Sequence, residues 1–230
     1  MHLNTVSNKK NFRLMKKIIL FSIIVLTSIS TFAQFVRRDN GDTNSNNEIR
    51  TLMGSKNHSN GGYGSFGAGY SIIDGKDAVM LTGRAAWIVG HSLAFGFAGS
   101  GFVNSLSPDI ESGRVVNLTG GYGGFLFEPI LLPKFPIHLS FPVIAGFGGI
   151  AYTSSIQPDN SFEYYDTWVE DTETYLIAEP GVELELNVMK FFRMAFGLSY
   201  RFTTDINWNY SNPDVLEGWH AGMTFKFGKF

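Results

Sequence analysis

The chain has 230 residues, of which 44% are hydrophobic, 15% are aromatic and 26 are glycine, enough to build a sizeable packed structure. Without a single cysteine, it excludes disulfide staples and thiolate metal sites. The formal net charge is −2; residues 1–33 hold five of the 18 basic residues and none of the 20 acidic ones, so the remainder carries 13 against 20, a net −7 that excludes nucleic acid and other polyanions as natural partners.

Lys16 and Lys17 precede an apolar run, Ile18 to Ile29, and Thr31-Phe32-Ala33 follows with small residues at the two positions a signal peptidase reads. This is the layout of a secretory signal peptide cut between Ala33 and Gln34. The run is shorter than the ~20 residues of a spanning helix. Met15 is the natural start of such a signal, which makes residues 1–14 an upstream extension. Residues 34–60 are polar, rich in Asn, Ser and Asp, and read as a flexible periplasmic segment.

From Gly61 onward the side chains alternate at period two, which predicts strands. In the first segment Phe66, Ala68, Tyr70 and Ile72 oppose Ser65, Gly67, Gly69 and Ser71, and Asp74-Gly75 is a hairpin signal. The second sets Val79, Leu81, Ala85, Trp87 and Val89 against Thr82 and Arg84, then turns at Gly90-His91. The third sets Leu93, Phe95, Phe97 and Val103 against Ala94, Gly96, Ala98 and Ser100, before a polar loop at 104–113. The fourth sets Val116, Leu118, Tyr122 and Leu126 against Asn117, Thr119, Gly121 and Gly123, and Glu128 to Pro136 reads as a proline-punctuated turn.

The fifth sets Ile137, Leu139, Phe141, Val143, Ala145 and Phe147 against His138, Ser140, Gly146 and Gly148. The longest loop, 153–172, follows. In the sixth, Leu176, Ala178, Val182, Leu184, Leu186 and Val188 oppose Glu179, Glu183, Glu185 and Asn187, with a turn at Met189-Lys190. The seventh sets Phe192, Met194, Phe196, Leu198, Tyr200 and Phe202 against Arg193, Ala195, Ser199, Arg201 and Thr203. A loop at 205–217 leads to the eighth, where Trp219, Ala221, Met223, Phe225 and Phe227 oppose His220, Gly222, Thr224, Lys226 and Gly228.

Eight such segments predict an all-β fold, an eight-stranded antiparallel up-and-down transmembrane β-barrel over residues 61–230. After the first hairpin, short connections alternate with long ones at 104–113, 153–172 and 205–217, which places the long loops outside and both termini in the periplasm. A water-soluble barrel would need the opposite polarity. Turning Glu179, Glu183, Glu185, Arg193 and Arg201 outward would put five charges in lipid, at a few kcal/mol each near the midplane. Turned inward, with Arg84, they form a lumen charge network. Pro142 and Pro180 fall inside segments and predict local bulges. Tyr70, Trp87, Tyr122, Tyr200 and Trp219 are expected in the lipid-facing aromatic girdles.

The signal, the eight segments and the ending Met223-Thr224-Phe225-Lys226-Phe227-Gly228-Lys229-Phe230 resemble the small Gram-negative outer-membrane barrels of the OmpA/OmpX-like type. Gly-Gly-Tyr-Gly-Gly at 120–124, followed by Glu128-Pro129-Ile130, is similar to uncharacterised members of that family. The resemblance implies residence in the outer membrane, contact with its lipid, and recognition of the C-terminal strand by the barrel-insertion machinery. Phe230 is out of phase with Phe225 and Phe227, a departure from the terminal signal.

The small lumen of an eight-stranded barrel is filled by side chains, so the charges read as a salt-bridged core rather than a conduction path. His58, His91, His138 and His220 show no metal-ligand spacing, and no cofactor is expected. His138-Leu139-Ser140 resembles the His-x-Ser pair of lipid A deacylase barrels, yet it falls at the periplasmic end, away from an outer-leaflet ester. In the 153–172 loop, Asp159, Tyr164, Tyr165, Asp166 and Trp168 are candidate surface contacts. Its carboxylates do not follow the spacing of a calcium loop and read as a solvated rim. The expected role is non-enzymatic, in envelope structure or surface interaction, by a monomer. The alternatives are an enzyme acting on outer-leaflet lipid and a narrow channel.

Overall fold

Alternation at period two becomes ten strands and, among the described residues, no helix. The computed structural model describes residues 60–104, 107–109, 114–156, 167–206 and 213–230, all within one unit, His58–Phe230. The predicted signal peptide and, apart from Asn60, the segment 34–60 lie outside the described residues. The strands are β1 Gly61–Ile73, β2 Lys76–Val89, β3 Leu93–Asn104, β4 Ser107–Asp109, β5 Arg114–Leu131, β6 Ile137–Ser140, β7 Val143–Ile156, β8 Thr167–Met189, β9 Phe192–Thr203 and β10 Gly218–Lys229.

All pairings are antiparallel, and the first strand pairs the last, Phe66 opposite Phe225 and Ser71 opposite His220. That pairing closes the ring β1-β2-β3-β5-β6/β7-β8-β9-β10. Since β6 and β7 are two halves of one crossing and β4 only extends the β5 ladder, the wall has eight members. A ring leaves no unpaired edge, which is the condition for a sheet to enter hydrocarbon. Turn chemistry fixes the hairpins. Asp74 and Gly75 have φ of 56° and 68°, and Gly90 and His91 have φ of 59° and 62°, the left-handed pairs that match the twist of two adjoining strands.

Burial follows the alternation. On β2, Ala78, Met80, Thr82 and Ile88 are buried while Val79, Leu81 and Trp87 are exposed. Large apolar side chains in mid-strand stand open: Phe125 is 71% exposed and Phe147 73%. Ionised groups point the other way. Glu179, Glu183, Glu185, Arg193, Arg201 and Lys226 are all buried. Monomeric soluble proteins rarely turn so large an apolar belt to water. The chain is a transmembrane β-barrel with an oily exterior and a charged lumen. Tyr200 and Trp219 make an edge-on pair 5.1 Å apart towards the loop end, while Phe66, Phe192, Phe225 and Phe227 stack towards the turn end.

Three expectations are corrected. Tyr122 does not face lipid; it is 6% exposed, as Leu118 and Leu126 are also buried, and Phe125 and Phe127 take the exterior. The glycines around it carry no side chain to set the phase, so the register of β3 and β7 decides which way it points. Pro142 and Pro180 produce no bulge. Ser140 pairs Glu183 and Val143 pairs Pro180, the same register on both sides of the gap at Phe141-Pro142. The Phe141 amide still reaches the Pro129 carbonyl at 2.9 Å, and the Pro142 carbonyl still accepts from Gly181 at 2.8 Å. Each proline therefore forfeits its own amide bond and interrupts the ladder locally without shifting the register. Register shifts fall instead at Tyr152/Thr153 and Asn187/Met189. Finally, the segments run further than their hydrophobicity suggests: β5 continues through Glu128 to Leu131, and β7 and β8 pair out to Ile156 and Thr167.

Candidate functional site

Odd-numbered residues of β8 face inward, so Glu183 and Glu185 enter the lumen from one strand. Lys226 comes from β10, Arg193 from β9, Arg84 from β2, Glu128 from β5 and His138 from β6. Lys226 Nζ donates to Glu185 Oε1 at 2.6 Å, meets Glu183 Oε2 at 2.8 Å, and bonds Glu128 Oε1 as well. Arg84 Nη1 donates to Glu183 Oε1 at 2.6 Å. Arg193 Nη1 and His138 Nε2 share Glu185 Oε2 at 3.2 and 3.0 Å. The Tyr63 hydroxyl donates to Glu128 Oε2. Three carboxylates thus face three permanent cations, a neutral set by count. That balance is what allows ionised groups to be buried at all, since an unpaired one costs several kcal/mol.

Oxygens of Glu128, Glu183 and Glu185 lie within 4.8 Å of one another, the grouping a cation would accept. The Lys226 ammonium stands among them and bonds all three, so the protein supplies its own cation.

A second cluster lies towards the loop end. Glu179 accepts from Ser199 Oγ at 2.5 Å and from the Tyr122 hydroxyl, and His220 Nδ1 lies 3.2 Å from the same carboxylate. An ionised carboxylate only accepts, so Nδ1 carries a proton. Ser199 Oγ is 3.3 Å from Nδ1, the protonated nitrogen. A serine nucleophile needs the opposite arrangement, with its hydroxyl on the basic nitrogen. Nε2 is buried without a partner and lies against Gly69, where a Cβ would sit 2.2 Å from it. The cavity beside these residues has a volume of about 20 Å³, room for water but not for an acyl chain.

Above this cluster an apolar plug fills the lumen: Ile73, Met80, Phe102, Leu118, Ile177 and Leu216 are all buried in it. Arg201 belongs to this level, apart from the carboxylates with which the sequence grouped it. It donates to the Leu216 carbonyl at 3.1 Å and the Ser71 hydroxyl at 2.7 Å, and it contacts the Met80 sulfur. Of the six predicted network residues, Arg84, Glu183, Glu185 and Arg193 meet in one cluster, Glu179 heads the other, and Arg201 joins neither among the described residues. Glu128, Lys226, Tyr63 and Tyr122 were missing from the predicted set. Lys226 was findable, since it shares a face with Thr224 and His220; Glu128 was hidden by the proline that follows it.

At the turn end, Phe230 folds to the lumen side. Its ring lies 4.0 Å from the Arg193 guanidinium carbon and 6.1 Å from the Tyr63 ring. His138 and Ser140 are tied to Glu185 and, at 3.5 Å, to Glu183, and do not address each other. Of the candidate surface contacts, Asp159, Tyr164, Tyr165 and Asp166 lie outside the described residues, and Trp168 is in β8, opposite Ser154, rather than in a loop.

No protein-family model matches the chain, and no curated protein matches it. Among solved structures it is similar to Neisserial surface protein A, at 12% identity over 76% of this chain and 100% of the other, with a TM-score of 0.45. It is also similar to Ail, the attachment invasion locus protein of Yersinia pestis, at 11% identity, 74% and 97% coverage and a TM-score of 0.41. The N-terminal barrel domain of Pseudomonas aeruginosa OprF matches at 15% identity, 74% and 96% coverage and a TM-score of 0.36. At TM-scores this low the barrel rests on its own pairing and polarity, not on these likenesses.

Proposed function

We propose that this chain is a non-enzymatic barrel of the outer membrane, with an envelope-structural role or a surface-interaction role exercised through its extracellular loops. The observation that carries this reading is the closed lumen. A neutral set of ion pairs centred on Lys226 and an apolar plug occupy it, leaving a cavity of about 20 Å³ between the strands around Ser199 and His220. Such an interior stabilises a cylinder and offers neither a conduction path nor a substrate pocket. The turns at Gly90-His91, 132–136 and Lys190-Phe191 lie at the same end as Gly61 and Phe230. Short connections beside both ends of the ring support a periplasmic position for that end and an outward position for the longer connections. The protein acts as a monomer, since the ring satisfies its own backbone and needs no second chain.

Two measurements test this. Purified protein reconstituted in planar bilayers should give no resolved single-channel steps; a steady conductance would replace the structural reading with transport. Replacing 157–166 by a short turn should leave a folded barrel that no longer retains host cells or matrix in an adhesion assay. Unchanged adhesion would remove this loop from the account.

A further inference from the structure

Beside Lys226-Phe227, whose lysine is buried, lysine followed by phenylalanine occurs three times at the turn end with the lysine exposed: Lys134-Phe135, Lys190-Phe191 and Lys229-Phe230. The first two pairs are turns. Leu132, Phe135, Met189 and Phe191 stand 53%, 58%, 56% and 57% exposed there, beyond the ends of the strands or at their last residue. Turns that faced only water would not carry four such side chains. Among the described residues of this end, the exposed ionised side chains are Lys134, Lys190 and Lys229, while the carboxylates of Glu128 and Glu185 are buried and compensated. The rim is therefore apolar and basic at once.

The pairs are held together. The Gly228 amide donates to the Phe191 carbonyl at 2.9 Å, joining the β9 turn to the C-terminal strand. Asn187 Nδ2 donates to the Phe135 carbonyl at 2.7 Å, joining the first turn to the end of β8. Between Lys190 and Lys229 opens a cleft of about 650 Å³, bounded by Val188, Met189, Phe230 and Arg193. The Arg193 side chain is 6% exposed, and its Nε is buried without a hydrogen-bond partner. Two free ammonium groups and an orphan N–H beside an apolar wall match a phosphodiester that carries acyl chains.

We propose that this rim binds the headgroup of an anionic phospholipid, its phosphate in the cleft at Lys190, Lys229 and Arg193 and its acyl chains along Met189 and Phe191. Lys134 adds a further positive charge on the adjoining turn. The inference deepens the membrane reading, on which it rests, by naming the lipid class and its place.

The test uses the full mature chain in nanodiscs of phosphatidylcholine with one part in ten phosphatidylglycerol. Heat-modifiable migration on a gel first establishes that the barrel has inserted; failure there counts against the transmembrane reading, not against the lipid site. Lipid that stays with the protein through detergent exchange is then measured by mass spectrometry. Wild type should retain phosphatidylglycerol well above its share, each of Lys134→Gln, Lys190→Gln and Lys229→Gln should lower the enrichment about fivefold at most, and the Lys→Arg counterparts should keep it. Three outcomes overturn the proposal: retention in bulk proportion by wild type, undiminished enrichment in the triple Gln variant, and displacement of the lipid by millimolar inorganic phosphate, which would make the cleft a site for a soluble anion.

Discussion

Lys226 Nζ stands 2.8 Å from Glu183 Oε2 although an entire strand, β9, separates their backbones. That contact needs only β8, β9 and β10 paired in register; the bond from Lys226 to Glu128, on β5, is the one that spans the lumen and reports the closed ring. Replacing Lys226 by methionine leaves Glu128, Glu183 and Glu185 crowded without their shared cation. A loss of about 3–5 kcal/mol is expected from urea unfolding in lipid vesicles. Adding Glu128→Gln to that variant should restore part of it, because one surplus charge is gone.

Gly69 carries no side chain because His220 occupies the space. Gly69→Ala brings a methyl group to within 2.2 Å of Nε2 and must displace the ring. About 1–3 kcal/mol of stability should be lost. In a double-mutant cycle with His220→Ala the imidazole's share of the penalty should vanish, while the share from the Ala221 carbonyl oxygen, 2.7 Å from the added Cβ, should stay.

Tyr122 tests which way β5 faces. Tyr122→Phe removes the donor to Glu179 and should cost about 1–3 kcal/mol. The same change at Tyr200, whose ring belongs to the exterior pair with Trp219, should cost well under 1 kcal/mol. Equal effects would return Tyr122 to the lipid face.

Ser199 and His220 make the arrangement most easily mistaken for catalytic machinery. Ser199→Ala and His220→Ala should leave the lipid A mass profile of expressing cells identical to that of cells with the unaltered protein. A change confined to the wild type would establish enzymatic action and would require His220 to turn its basic nitrogen to the hydroxyl.

Much of this was readable from the residues because a barrel in lipid sorts side chains by a simple rule, and β8, β9 and β10 carry large residues on one parity and charges on the other. β5 escaped the rule. From Gly120 to Gly124 a single side chain, Tyr122, had to be placed by hydrophobicity, yet its ring joins the plug while its hydroxyl reaches Glu179. Partners across the lumen were equally out of reach, since period two assigns a face and not an opposite number. That is why the sequence groups Arg201 with glutamates it does not meet, and why Glu128, 98 residues from Lys226 in the chain, reads as part of a turn.

Lys226 is carried by the last strand, whereas the glutamates that need it arrive earlier, on β5 and β8. A half-curled sheet that lacks β10 therefore holds three carboxylates against two counter-ions, Arg84 and Arg193. Docking of β10 on β9 brings the ammonium beside the β8 glutamates, and pairing of β10 with β1 closes the ring around the balanced set. The last strand thus brings the third cation together with the seam: a ring closed without it would bury one carboxylate unpaired.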